Sequence, residues 1–304
     1  MTPAVGIILG AVADRIIPDP PGAVHPVAVY GSYVSWLENH LYSGSRTRGA
    51  VFWGVAVIPP VAVTAMLHRR WPITMTALAL WASLGGTLLE RTGEQMAARL
   101  DAGDTEKARE LVPWLCSRDP ELLDAPGIAR ATVESLAENT SDAATSSLFW
   151  AGVAGAPGVV AHRCINTLDA MVGYRNDRYR DFGWASARID DLAAWFPARL
   201  TAIIHTGLAA VEGRGAEAVR AWREDAPHHP SPNAGPVEAT AAAALGVTLG
   251  GRTEYAHGVE HRPEMGHGPT PDAATVRRAV VLARKTQIAS AVVSTGLAIM
   301  LRRG

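Results

Sequence analysis

The chain has 304 residues, 48% of them hydrophobic and 19% charged, with 28 Lys or Arg against 29 Asp or Glu and a formal net charge of −1. The near-neutral balance argues against a nucleic-acid partner, which shows as a clustered basic excess. Two isolated cysteines, Cys116 and Cys164, are too few for a disulfide scaffold or a metal knuckle. The charge is also segregated: residues 49–67, 72–89, 143–161 and 286–301, 72 in all, contain no Asp, Glu, Lys or Arg, so the other 232 carry the whole charge at the ordinary density of a soluble surface.

A bilayer core about 30 Å thick needs about 20 apolar residues in a helix, so this pattern predicts an all-α polytopic membrane protein of about five or six apolar segments joined by helical polar loops. One domain over 1–304 is expected. The first segment, 3–17, has no basic leader and runs into Asp14 and Arg15, which reads as a retained short helix and not a cleaved signal. A proline-rich turn, ADRIIPDPPGAVHPVAVYG, then carries Asp14, Asp19 and His25. Strong spans follow at 49–67 and 72–89.

The polar region 90–142 has amphipathic spacing over 94–100 and 105–115, separated by Gly103-Asp104. Next come an apolar segment at 143–161, a polar region at 162–191, a segment with one internal charge at 192–211, a polar region at 212–285, and a last span at 286–301. Trp53, Trp71, Trp150 and Trp195 lie at or near window ends, where indoles anchor at the headgroups. Pro59-Pro60 and Ala156-Pro157-Gly158 are expected to interrupt helices, and 143–161 is read as broken or re-entrant. Residues 252–272, rich in Gly, Pro and His without a sustained period, read as a loop. Lys plus Arg number 6, 5 and 9 in the three polar regions, which favours the cytoplasmic side for each.

Within ATVESLAENTSDAAT, helical spacing puts Glu134, Glu138 and Asp142 on one face. Like charges at i,i+4 repel, so a cation is expected there: Mg²⁺, which takes one or two carboxylates and completes its shell with water and phosphate. A solvated acidic face with Arg130 as partner accounts for the same spacing. The block 166–191 crowds Asn166, Asp169, Tyr174, Arg175, Asn176, Asp177, Arg178, Tyr179, Arg180 and Asp181 together. It reads either as a surface network or as a phosphate clamp of bidentate arginines. Asp190-Asp191 open the 192–211 segment and Arg199 lies inside it, where an ionisable group is a functional candidate unless it snorkels or meets a buried acid. His205 reads as a core histidine. Asn233-Ala234-Gly235 leads into a small-residue helix whose start could receive an anion; His228 and His229 lack a second cluster and do not read as zinc ligands. The common phosphate-loop, dinucleotide and nucleophile-elbow motifs are absent.

Four stretches together resemble the adenosylcobinamide-phosphate synthase family of cobalamin biosynthesis, an integral membrane family: D-x4-DPP-x3-HPV at 14–27, ESLAENTSDA at 134–143, INTLDAMVGYRNDRYRDFGWASARIDDLAAWFPARLTA at 165–202, and DAPHHPSPNAGPVEATAAAALGVTLGG at 225–251. The resemblance runs from residue 5 to about 300. It implies a ligase that forms an amide between adenosylcobyric acid and aminopropanol or its phosphate, with ATP as co-substrate and Mg²⁺. It also implies a multi-pass protein of a bacterial-type cell membrane, with its active site facing the cytoplasm and room for a complex with other membrane enzymes of the same synthesis.

Residue type then suggests roles. Glu134, Glu138 and Asp142 would hold metal; Arg175, Arg178 and Arg180 would bind phosphate, with Tyr174 and Asn176 in the same substrate-binding block. Asp169, Asp190 or Asp191 would serve as base toward the incoming ammonium, with Arg199 beside them in the catalytic set. Asn139, Asn166 and Asn233 would orient the corrinoid amides. No ATP-binding motif accompanies the resemblance, which leaves the nucleotide site unassigned. Two competing readings are a Mg-dependent membrane prenyltransferase-like enzyme, which needs paired Asp-rich boxes that 166–191 only partly supplies, and a membrane sensor resembling the beta-lactamase-induction regulators, which would not need so many polar residues at the bilayer boundary.

Overall fold

The structure is a computed structural model. It describes residues 2–17, 19–20, 22–255 and 258–301, and the side chains at all of these except 2, 3, 23 and 252–260. In chain order the helices are α1 (Thr2–Ile16), α2 (Pro26–Leu41), α3 (Arg46–Arg70), α4 (Pro72–Leu84), α5 (Gly86–Asp101), α6 (Thr105–Arg109) and α7 (Ala125–Asn139). A π-helical turn, Thr140–Thr145, leads into α8 (Ser146–Ala154), followed by α9 (Ala156–Val172), α10 (Trp184–Ala193), α11 (Trp195–Val211), α12 (Gly215–Glu224) and α13 (Ala234–Leu245). A two-stranded hairpin of β1 (Leu249–Tyr255) and β2 (Gly258–Met265) precedes α14 (Ala273–Met300). The predicted all-α class holds apart from that hairpin.

Where the sequence reading has one domain, the structure has two compact units: 1–85, 142–197 and 290–304 in one, and 86–141 with 198–289 in the other. In the first unit α1 packs on α4. Close approach is possible because Gly6 and Gly10 face Thr76 and Leu80; a Cβ at Gly10 would stand 2.6 Å from the Leu80 Cβ. Helix α3 packs on α9 around Phe52, Phe182, Leu168 and Val172, with Val34 and Leu37 of α2 in the same cluster.

Much of the exposed surface of α1 and α3 in this unit is apolar. Val51, Val55, Ile58, Val63 and Met66 of α3 and Ile8, Leu9 and Val12 of α1 are all exposed. Two stretches are long and apolar enough to cross a membrane, Arg46–Arg70 and Pro72–Asp101, the latter broken at Gly85 (φ 57°). Only 22% and 28% of their apolar windows are buried, whereas a soluble core helix would be mostly buried. The other predicted segments also fall in helices, but α1 has 15 residues, α8 has 9, α11 has 17, and α14 is free of charge only in its second half. The expected count of apolar spans is therefore not reproduced by length and composition.

The two predicted helix interruptions part ways. Gly155, at φ 66°, ends α8 and Pro157 opens α9, so the 143–161 segment breaks as expected. Pro59 and Pro60 lie inside α3 without ending it, and downstream the Thr64 hydroxyl donates to the Pro60 carbonyl at 2.8 Å.

In the second unit α13 is buried at every residue, and its alanines let α7, β1 and β2 come close. Val133, Leu136, Val237, Leu245, Leu249, Met265, Val276 and Val280 form its core. A second cluster, around Met96, Val112, Leu115 and Ile128, sits between α5 and the segment before α7.

The hairpin occupies most of the stretch read as a loop. Its register runs from Leu249↔Met265 to Tyr255↔Gly258 with a bulge between Leu249 and Gly251. Gly250 and Gly251 take φ 80° and 76°, the conformation such a bulge asks of glycine. Glycines immediately before the stretch read as a loop thus shape the start of a strand. Residues 256–257 of that stretch lie outside the described residues.

A Cβ at Gly49 would fall 2.0 Å from the Phe182 carbonyl oxygen, which is backbone and cannot rotate away. Gly49→Ala is expected to destabilise the protein by about 1–3 kcal/mol or more. At Gly54, in the same helix, a Cβ meets nothing nearer than 3.7 Å, so Gly54→Ala should be neutral or mildly stabilising. Thermal unfolding in detergent checks the contrast, and equal midpoints for the two variants would contradict the packing.

Candidate functional site

Each unit carries one constellation of buried titratable groups. In the first unit, the C-terminal half of α9 supplies Asn166 and Asp169, and α10 supplies Asp190 and Asp191. Burial, then the charge of Asp169, raises the Asp190 carboxyl to about 7 against a hydrogen bond with Asn166 that lowers it. Burial and the charge of Asp191 raise Asp169 to about 6. Asp191 is also raised by burial, with Arg188 and Arg175 opposing. Three of the predicted catalytic carboxylates, predicted Asn166 and predicted Arg175 are thus electrostatically coupled.

The rest of the 166–191 block is divided. Asn176 uses its side-chain oxygen to accept the Tyr179 N–H at 2.9 Å, closing the turn itself. Arg178 donates to Glu38 at 2.8 Å and lies 4.2 Å from the Tyr42 ring centre, and the Tyr179 hydroxyl donates to the same Glu38 oxygen at 2.9 Å. Arg46 pairs with Asp181 at 2.9 Å. Tyr174 and Arg180 are exposed on this turn. Of the three predicted phosphate-binding arginines, Arg178 is therefore tied into a surface network, while Arg175 faces Asp191.

In the second unit the central residue is Glu134 of α7, 2% exposed. It pairs with buried Arg118, and its other oxygen accepts the Gly250 N–H at 2.7 Å. Around it stand Glu138, Glu238 of α13, Arg262 of β2 and His229. Burial raises the Glu138 carboxyl, countered by Arg262 and reinforced by Glu134. Glu238, 1% exposed, is raised much further by burial together with Glu134 and Glu138. His229 lies 3.8 Å from Glu238, and burial followed by the charge of Arg262 keeps its ring neutral. Arg199 donates to Asn233 at the start of α13 at 2.8 Å, so these two predicted residues meet. Asn139 donates to the Leu115 carbonyl at 3.2 Å, and His205 is the buried core histidine expected, 3.3 Å from the Thr240 hydroxyl.

The predicted metal trio of Glu134, Glu138 and Asp142 does not share one continuous α-helical face. The π turn at 140–145 breaks the helical repeat between Glu138 and Asp142. Asp142 belongs to the first unit and acts electrostatically on Arg163, and both Glu134 oxygens already have donors. Among the described residues no group of three or more His, Cys, Asp or Glu is arranged to hold a metal ion. Sequence reasoning missed Arg118, Glu238 and Arg262. A signal for Glu238 was present: it is the only charge between Asp225 and Arg252, and an ionisable group isolated among apolar residues is the feature that singled out Arg199.

Residues 7–283 match the family model described as CobD/Cbib protein. The chain belongs to the CobD/Cbib family. A cobalamin biosynthesis protein CobD from Mycobacterium tuberculosis (strain ATCC 25618 / H37Rv) is 48% identical over 99% of this chain and 96% of its own length. A protein of the same name from Chromobacterium violaceum is 40% identical over 99% and 98%, and one from Geobacter metallireducens is 38% identical over 92% of each. No solved structure matches. Membership over nearly the whole chain takes the place of the prenyltransferase-like and sensor readings.

The raised Asp190 carboxyl makes the folded state favour its neutral form, so its linkage has a fixed sign. Below about pH 4 both folded and unfolded chains are protonated at Asp190; from there to about 7 the unfolded chain ionises first, and folding stability falls by up to about 1.4 kcal/mol per pH unit. The coupled Asp169 contributes to the same slope. Asp190→Asn is expected to remove much of that slope in chemical denaturation between pH 4 and 7. An unchanged slope would show that Asp190 ionises normally in the fold.

Proposed function

We propose that this chain acts in cobalamin biosynthesis as an ATP-dependent amide-forming enzyme, joining adenosylcobyric acid to (R)-1-amino-2-propanol phosphate or to the free amino alcohol. The observation that carries the reading is the family match over residues 7–283, which spans both constellations. The two long, sparsely buried apolar helices support a membrane location, and the Lys and Arg residues of the polar regions favour a cytoplasmic site.

The chemistry sets two requirements on the protein. A carboxylate is a poor acyl donor and needs activation, which ATP supplies as co-substrate; the developing negative charge must then meet cationic donors. Arg175, held near Asp191, and exposed Arg180 are of that kind. The amine is an ammonium at neutral pH and must lose a proton before its nitrogen can attack, which calls for a carboxyl group whose affinity for protons has been raised by its surroundings. Asp190 in one unit and the Glu138 and Glu238 pair in the other meet that description. Metal would arrive with the nucleotide, since the described residues do not fit a metal ion held by three protein ligands.

The test is purified full-length protein in nanodiscs with adenosylcobyric acid, aminopropanol phosphate or aminopropanol, and MgATP, read by mass spectrometry. The expected result is a corrinoid product heavier by the amine less one water, dependent on ATP. Folded protein giving no such product with either amine would overturn the assignment.

A further inference from the structure

The Glu238 carboxylate is the least satisfied charged group described. Both of its oxygens are buried, and among the described residues neither accepts a hydrogen bond. A lone buried carboxylate costs several kcal/mol unless something meets it, yet it sits on α13 among alanines, a position a neutral residue would fill without that cost. His229 repeats the anomaly from the other side. Its Nδ1 lies 3.1 Å from the Ser231 N–H and 3.2 Å from the Ser231 carbonyl oxygen, so Ser231 engages that side of the ring in either tautomer and Nε2 is the nitrogen turned toward Glu238. That nitrogen is buried without a hydrogen-bond partner and lies 3.8 Å from Glu238 Oε1, beyond hydrogen-bond reach. Two unpartnered polar groups, one acidic and one neutral, thus face each other across a gap.

Charge counting identifies what fits. Fully ionised, Glu134, Glu138 and Glu238 would set three negative charges against the two positive charges of Arg118 and Arg262, and burial meets that excess by raising the proton affinity of Glu138 and Glu238. His229 is neutral, since burial and Arg262 lower its proton affinity. A monovalent cation entering the cluster would take the place of the proton so retained. Two guanidinium groups nearby disfavour a divalent ion, and among the described residues no group of three ligands is arranged to hold one. A primary ammonium carries one positive charge and three donors with no acceptor, which matches two unused Glu238 oxygens with a third carboxylate, Glu138, within electrostatic reach.

We infer that Glu238, with Glu138 and His229 beside it, receives the primary ammonium of the small amino alcohol and takes a proton from it. This rests on the amide-forming reading and assigns the amine end of that reaction to the second unit's cluster. In the transfer one N–H bond breaks, its electron pair stays on nitrogen as the nucleophilic lone pair, and the proton forms an O–H bond at a Glu238 carboxylate oxygen. Burial drives this direction, because a neutral carboxyl beside a neutral amine replaces two opposite charges in a site of low polarity.

The experiment is titration calorimetry of the full-length protein in detergent, with 1-amino-2-propanol as probe and propan-2-ol as its amine-free counterpart, on the wild type, Glu238→Gln and Glu138→Gln. Product formation is assayed on the same preparations. The wild type should bind the amine and not the alcohol, and Glu238→Gln should weaken amine binding at least about tenfold, the usual loss for one charge-assisted contact. Its unfolding midpoint should be unchanged or higher, since the variant removes a buried charge. Glu138→Gln should also weaken binding and serves as the second probe if Glu238→Gln does not fold. Equal binding of amine and alcohol, no binding by the wild type, or wild-type affinity in the folded variants would overturn the site. Amine binding lost in Glu238→Gln while the wild type makes no amide would leave the site standing and remove the reaction; amide made at the wild-type rate by Glu238→Gln would do the reverse.

Discussion

The second unit depends on how one buried carboxylate is satisfied. Glu134 pairs with Arg118 through one oxygen and accepts the Gly250 amide through the other. It thereby joins three segments far apart in sequence: the stretch before α7, α7 itself and the start of β1. Each is needed by the next, because a pair excluded from water is stable only while its remaining lone pairs and protons have partners, and breaking one side of such a pair typically costs about 3–5 kcal/mol. Gly250 can present its N–H there because it adopts φ 80°, and a Cβ at that position would stand 2.0 Å from the Pro263 carbonyl oxygen. The bulge, the glycines and the ion pair are one device.

The two units spend apolar surface differently. In the second, α13 is buried throughout and its polar residues turn inward, so the charges that matter are enclosed. In the first, α1 and α3 leave rows of large apolar side chains exposed while the polar atoms of α9 and α10 cluster together. An exposed face of Val, Ile and Met on helices of this length is costly in water and neutral in lipid. The segregation of charge in the sequence is therefore reproduced as a segregation between surfaces.

What was legible in the sequence was local periodicity and composition. The helical class, the break at Ala156-Pro157-Gly158 and the apolar character of 49–67 and 72–89 could all be read from residue type and spacing. The errors arose where a local rule was overridden. Extrapolating a 3.6 repeat from Glu134 through Asp142 assumed an α-helix across 140–145, where a π turn intervenes. Glycine and proline in 252–272 suggested a loop, but positive-φ glycines at one strand's start are what a bulged hairpin requires. Pro59 and Pro60 were expected to stop a helix that runs through them. Arg118, Arg262 and Glu238 were invisible as a group because nothing in spacing links residues 118, 238 and 262; only the packing of α7, α13 and β2 does.

Both constellations share a physical principle that spacing alone could not supply. Asp169 with Asp190, and Glu138 with Glu238, are pairs of carboxylates whose proton affinities are raised by burial, with Asp169 further raising Asp190 and Glu138 further raising Glu238. Two like charges in a site of low polarity cannot both ionise cheaply, so each pair holds a proton more tightly than an isolated carboxyl would. The surroundings differ in a way that bears on use. Asn166 hydrogen-bonds Asp190, although Asp190 Oδ1 is buried without a hydrogen-bond partner among the described residues, and Arg175 and Arg188 act on the neighbouring Asp191. Glu238 has none among hydrogen-bond donors and faces a histidine nitrogen in the same condition. A group already provided with donors is poised to hold its own ionisation state. A carboxylate enclosed without them gains most from a ligand that brings donors with it, and this asymmetry separates the two pairs more sharply than their charge does.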